Sequence, residues 1–165
     1  MTFLGSMMVF ALVWLNAAQA AEPTVAGLWE QVDEKTGKPE SWFSVAEKEG
    51  VYVGTVVRMF QKPGDPPPES WRCTKCEGVE KNAPVLGLAL IKGMKRNGLK
   101  YQDGTIMDPR DGTVYRALMQ LSPDGTQLEV RGYVGFALLG NSQMWNRLPD
   151  NAMDPPRALQ KGAKK

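Results

Sequence analysis

The sequence predicts an all-β fold, a single antiparallel barrel of about eight strands. Three observations predict it. Short apolar runs recur along the chain between turn signals such as Asn97-Gly98, Asp111-Gly112 and Asp124-Gly125, which supply the positive φ that tight hairpins demand. No long stretch carries helical period. Gly27-Leu28-Trp29 in the first run is answered by Trp145-Asn146-Arg147 in the last, which favours a closed barrel over the sandwich that the strand spacing alone would also allow.

The chain of 165 residues opens on a segment set apart from the rest. Residues 3–15 are largely apolar but too short to span a bilayer, which needs about 20 residues. Ala18-Gln19-Ala20 has the small-x-small pattern of a signal-peptidase site, so residues 1–20 read as an export signal cleaved after Ala20 and the product as periplasmic or secreted. No Lys or Arg precedes the apolar run, and no Cys stands at the cleavage point to take a lipid. The other reading is an uncleaved anchor, against which the length argues.

Residues 21–148 form the expected barrel domain. The runs fall at 25–32, 41–47, 51–60, 86–95, 99–102, 105–107, 113–121, 127–134 and 141–148. Residues 48–50 and 96–98 read as hairpin turns. The run Val51-Tyr52-Val53-Gly54-Thr55-Val56-Val57 is apolar on both faces, as in a barrel wall between lumen and cover or in a buried sandwich strand. Residues 136–139, bounded by Gly135 and Gly140, suit one helical turn. Residues 61–84 are the longest irregular stretch. They include Pro63-Gly64-Asp65-Pro66-Pro67-Pro68, which cannot join a ladder and reads as an extended surface loop, functional or disordered. Residues 149–165 read as a disordered basic tail.

Charge and composition exclude several functions. Arg157, Lys161, Lys164 and Lys165 against Asp150 and Asp154 account for the whole formal charge of +2, so the body is neutral. A neutral body argues against nucleic acid, whose binding rests on phosphate neutralisation. The chain has no histidine, which removes Ser-His-Asp and Cys-His catalysis and the usual zinc and haem ligation. No catalytic residue, metal ligand or cofactor is implied.

Cys73-Thr74-Lys75-Cys76 holds both cysteines; in an exported chain they read as a disulfide pinning the long loop, with a redox dithiol as the sharper alternative. Asp103, Asp108 and Asp111 suit turn chemistry better than calcium, since their spacing is not that of an EF-hand. Arg131 sits in an apolar run beside Gly132 and Gly135. Facing a lumen it could hold a carboxylate or phosphate; facing outward it is a solvated charge. Aromatic side chains supply amphipathic surface for a pocket. The candidate ligand-binding residues are therefore Trp42, Tyr52, Tyr115, Arg131 and Tyr133. Gly27, Trp29, Trp145 and Arg147 are read as structural, with Arg147 stacking on Trp29 to seal one end.

Taken together, Gly27-x-Trp29, Cys73-x-x-Cys76, Gly87-Leu88, Gly104-x-Ile106-x-Asp108-Pro109, Gly112-x-x-Tyr115, Leu128-x-Val130-Arg131-Gly132-Tyr133-x-Gly135 and Leu139-Gly140-x-x-Gln143-x-Trp145-x-Arg147 resemble an exported bacterial family, domain-of-unknown-function family 2147. The likeness runs from about residue 27 to 148. It implies a lipocalin- or calycin-like barrel and brings no catalytic residues. The chain departs from the pattern in its Pro-rich insert at 63–68 and its basic tail.

The leading expectation is an exported barrel that binds or carries a small, mostly apolar or amphipathic ligand, with no nucleic-acid partner and no stable membrane anchor after cleavage. The alternative is a barrel packed solid, serving as an envelope interaction module through the 61–84 loop. A hydrolase comes third.

Overall fold

The computed structural model describes residues 22–154. The expected export signal at 1–20 and the tail beyond residue 154 lie outside the described residues. Eight strands follow in order: β1 Gly27–Val32, β2 Pro39–Lys48, β3 Val51–Met59, β4 Ala89–Asn97, β5 Lys100–Met107, β6 Val114–Leu121, β7 Gln127–Tyr133 and β8 Gly140–Leu148. Each pairs antiparallel with the next, and β8 returns to β1, so the sheet closes into a barrel. Closure leaves no edge strand to template association.

Two runs expected to be separate, 99–102 and 105–107, are one strand, β5. The chain bulges at Asp103, whose φ is +65°, and the register with β6 shifts between Tyr101 and Gly104. The bulge keeps Tyr101 and Gly104 both buried although they lie on opposite sides of the strict alternation. A Cβ at Gly104 would run into Met94 Sδ and the Lys92 carbonyl, so this glycine is what lets β4 and β5 close together. The expected single turn at 136–139 is a 3-10 helix, Ala137–Leu139.

The alternation of strands and turns gives the barrel two unlike ends. Residues 49–50, 98–99 and 122–126 join strands at one end by tight turns. Residues 22–26 lie across that end. Val25 is fully buried, its N–H donates to the Tyr101 hydroxyl at 3.0 Å, and Trp29 Nε1 donates to the Val25 carbonyl at 2.8 Å. Arg147 lies 4.2 Å over the Trp29 ring and donates to the carbonyls of Thr24, Ala26 and Gly125. Burial lowers the pKa of this guanidinium, and three carbonyls with one aromatic face compensate it.

The longer connections, 33–38, 60–88, 108–113 and 134–139, all meet at the other end. The 60–88 connection is not a free loop. Val85 N–H donates to the Trp71 carbonyl, Arg72 pairs with Pro84, and Cys73 and Cys76 form a buried disulfide with Cα atoms 5.3 Å apart. Gly112, at φ +76°, brings the β5–β6 turn against the Lys75 carbonyl where any Cβ would collide. The Pro-rich part, 63–68, is largely exposed, as are residues 77–79.

Candidate functional site

Inward positions differ along the barrel axis. Toward the closed end the lumen is filled by Trp29, Val45, Tyr52, Met94, Tyr101, Met119 and Leu121, all buried. Toward the looped end the side chains stop meeting. A cavity of about 600 Å³ opens there, within the range of about 300–1,000 Å³ usual for small-molecule sites. Toward this end the barrel is not packed solid. The 61–84 loop serves as cavity wall through Asp65, Pro66, Pro68 and Trp71.

One side of the wall is apolar: Val56, Met59, Val85, Leu90, Ile106, Met107 and Val130. Phe43 and Trp145 stack on each other at 4.3 Å between ring centres, with planes 19° apart. The other side is polar. Period-two alternation on β1, β2 and β8 turns Gln31, Ser41, Asn141 and Gln143 toward the cavity along with Phe43 and Trp145. The Ser41 hydroxyl donates to Gln31 Oε1 at 2.5 Å, and Gln31 Nε2 donates to Gln143 Oε1 at 2.8 Å.

Charges stand at the rim. Lys62 bonds Glu40 and Asp33, which together raise its pKa, Glu40 most. Asp33 itself is held far below the usual carboxylate range, first by the Thr36 backbone N–H and then by Lys62. Arg110 grips Asp108 through Nε and Nη2, and this hydrogen bonding lowers the Asp108 pKa. The Asp111 carboxylate accepts from the Thr113 N–H, as a turn aspartate does. Among the described residues no group of three or more His, Cys, Asp or Glu stands close enough to hold a metal.

Of the residues singled out in the sequence, Tyr115 lines the cavity, as does Trp145, which the sequence suggested as structural; Tyr133 only borders it, since like Arg131 it stands on the outer face of β7, with Arg116 5.5 Å from its ring. Trp42 is on the outer wall, donating to Glu30 and covered by Arg58 at 4.7 Å. Tyr52 is buried at the closed end, edge-on to Tyr101. Arg131 also stands away from the cavity. It alternates with inward Val130 and Gly132 and clamps the β7–β8 connection through the carbonyls of Ala137 and Leu138 and the Ser142 hydroxyl. Its head is committed to backbone rather than offered to a ligand. That connection places Val134 and Leu139 on the cavity wall and leaves Phe136 and Leu138 exposed.

Gln31, Ser41 and Gln143 were missed. The signal was present, because each lies two residues from an inward aromatic, but isolated glutamines read as solvent-facing until the closure of β8 on β1 sets them side by side.

The sequence pattern of the family described as "Uncharacterized protein conserved in bacteria (DUF2147)" matches residues 27–147. No curated protein matches the chain. Among solved structures, protein HP1028 from the human pathogen Helicobacter pylori, described as belonging to the lipocalin family, is similar with a TM-score of 0.64. The identity is 17%, over 78% of this chain and 86% of that one. The likeness is one of fold, a lipocalin-like barrel.

Proposed function

We propose, from the premise that the chain belongs to the bacterial family DUF2147, that it is an exported lipocalin-like barrel that binds or carries a small, mostly apolar ligand. The observation that carries this reading is the cavity of about 600 Å³, closed at one end by Trp29 and Arg147 and open among loops at the other. An unfilled, largely apolar lumen forfeits contacts that side chains could have made, and a ligand restores them. Carriage rather than catalysis suits a wall whose rim cations are already paired. Export is supported by the apolar run at 3–15 and the Ala18-Gln19-Ala20 pattern. Outward Lys92, Gln120 and Glu129 suit a barrel wall that stands in water rather than in lipid.

Native mass spectrometry of protein purified from its own cell envelope tests this, with organic extraction of what comes off. A defined adduct is expected. A clean apo mass, with no uptake of an uncharged polarity-sensitive dye, refutes it.

A further inference from the structure

The inner face of β8 reads Asn141, Gln143, Trp145, Arg147 from mouth to closed end. Arg147 is consumed by the plug at the closed end. The next two residues toward the mouth are incompletely used. Gln143 accepts from Gln31, while its amide nitrogen bonds no described residue. Trp145 Nε1 is the buried side-chain nitrogen without a hydrogen-bond partner among the described residues. An indole nitrogen can only donate, so only an acceptor answers it. The equivalent donor of Trp29 is satisfied by the Val25 carbonyl, whereas that of Trp145 is covered and unanswered.

The charges point the same way. Those on the wall are Glu40, Lys62, Asp65, Asp108 and Arg110. Both cations already bond carboxylates, and the acidic groups outnumber them. A carboxylate entering this cavity would lose its water and gain no free cation, which is costly. An uncharged acceptor pays far less for desolvation and meets the donors of Gln143 and Trp145.

We infer that the cavity selects an elongated apolar molecule ending in an uncharged carbonyl (an ester, amide or ketone) over the carboxylate of the same chain. The carbonyl accepts from Gln143 Nε2 and, with a small tilt of the indole on Phe43, from Trp145 Nε1. The apolar body lies against Val56, Leu90 and Ile106. This rests on the carrier reading above and adds the chemistry of the head group.

The test is displacement of an uncharged polarity-sensitive naphthalene dye by decanoate, methyl decanoate and decanamide at neutral pH. The ester and amide are expected to compete about tenfold better than decanoate, because they avoid burying a charge that no free cation answers. Gln143→Leu should weaken binding of the ester and the amide about fivefold, because their carbonyl loses its donor. Trp145→Phe keeps an aromatic ring on Phe43 and removes the donor together with part of the buried indole, so ester and amide binding should weaken in it as well. Equal or better binding of decanoate by the unaltered protein overturns the head-group inference and leaves the carrier reading standing. Ester and amide affinities unchanged in both variants overturn the assignment to β8. Failure of the dye and of all three competitors to bind overturns both readings.

Discussion

Replacing Arg147 by alanine should cost the barrel about 3 kcal/mol. The side chain donates to the carbonyls of Thr24 at 2.6 Å, Ala26 at 2.9 Å and Gly125, and lies 4.2 Å above the Trp29 ring. A hydrogen bond from a charged donor is worth about 1.5–3 kcal/mol, and a cation–π contact about 0.5–2 kcal/mol. The low end applies, because the plug is half-buried and water can reach part of what is vacated. Removing the cation also relieves its burial penalty, visible as a lowered pKa. The net is then about 3 kcal/mol, or roughly 10 °C in Tm for a domain of this size. Urea unfolding followed by circular dichroism measures it, with an unchanged slope showing that the same surface is exposed. Arg147→Lys keeps the charge but not the fork and should recover about a third of the loss. Dye affinity should hold in both variants, since Arg147 is at the end opposite the mouth. A loss below about 1 kcal/mol for Arg147→Ala would refute the view that this residue locks the plug.

Other outcomes follow from the same geometry. Gly27 sits at φ +136° and an added Cβ would stand 2.6 Å from Arg147 Nη1, so Gly27→Ala should destabilise by at least as much as a lost cap, about 1–2 kcal/mol, by calorimetry. Converting Cys73 and Cys76 to serine should cost about 2 kcal/mol on the chain-entropy account and weaken dye binding, because the loop they staple forms cavity wall. Val130→Phe fills the lumen and should lower dye affinity about tenfold at a stability cost of about 1–3 kcal/mol, read by titration and urea unfolding together. Asp124 is held down to about 2, first by the Ser122 hydroxyl and then by Thr126, from an ordinary value of 3.8. A carboxylate depressed on folding stabilises above its unfolded pKa, and that contribution disappears as pH falls through its folded one. Stability should therefore drop between about pH 4 and pH 2, and Asp124→Asn should flatten the Asp124 share of that fall in acid titrations of unfolding.

How much of this was legible depended on whether a residue's role was local. The turns at Glu49-Gly50 and Asp124-Gly125 are written in the chain, because the positive φ at Gly50 and Gly125 favours glycine there. So were the strands they join and the pairing of Cys73 with Cys76. Trp29 and Arg147 could be matched because the ends of a closed meander must meet. Side-chain direction was less readable. Arg131 looked like a lumen charge because of its apolar neighbours. Strict alternation from Val130 puts it outside, and the carbonyls that occupy it belong to a loop no sequence pattern could place. Tyr52 is an inward aromatic, as its run suggested, but its height along the axis decides between core and cavity. Height follows from strand stagger, which the sequence does not state. The bulge at Asp103 hid for a similar reason. An Asp-Gly pair ordinarily ends a strand, and only the packing of Met94 against Gly104 shows that this strand continues.

The two ends of the barrel divide the requirements of fold and binding, and β8 carries both. At the closed end its inward residue, Arg147, is saturated with partners. One step up, Trp145 is packed but its nitrogen is unanswered. Another step up, Gln143 is half-engaged. Satisfaction of polar groups thus falls along a single strand from plug to mouth. A sequence selected for stability alone would not leave that gradient, since leucine at 143 would line the same wall without a half-paired amide. Stability and ligand affinity should therefore respond oppositely on this strand. Gln143→Leu should hold or raise the urea midpoint while it weakens binding of methyl decanoate, whereas Arg147→Ala should lower the midpoint and leave that binding intact. If both variants moved stability and affinity in the same direction, the barrel would be one cooperative unit and the division between its ends would be wrong.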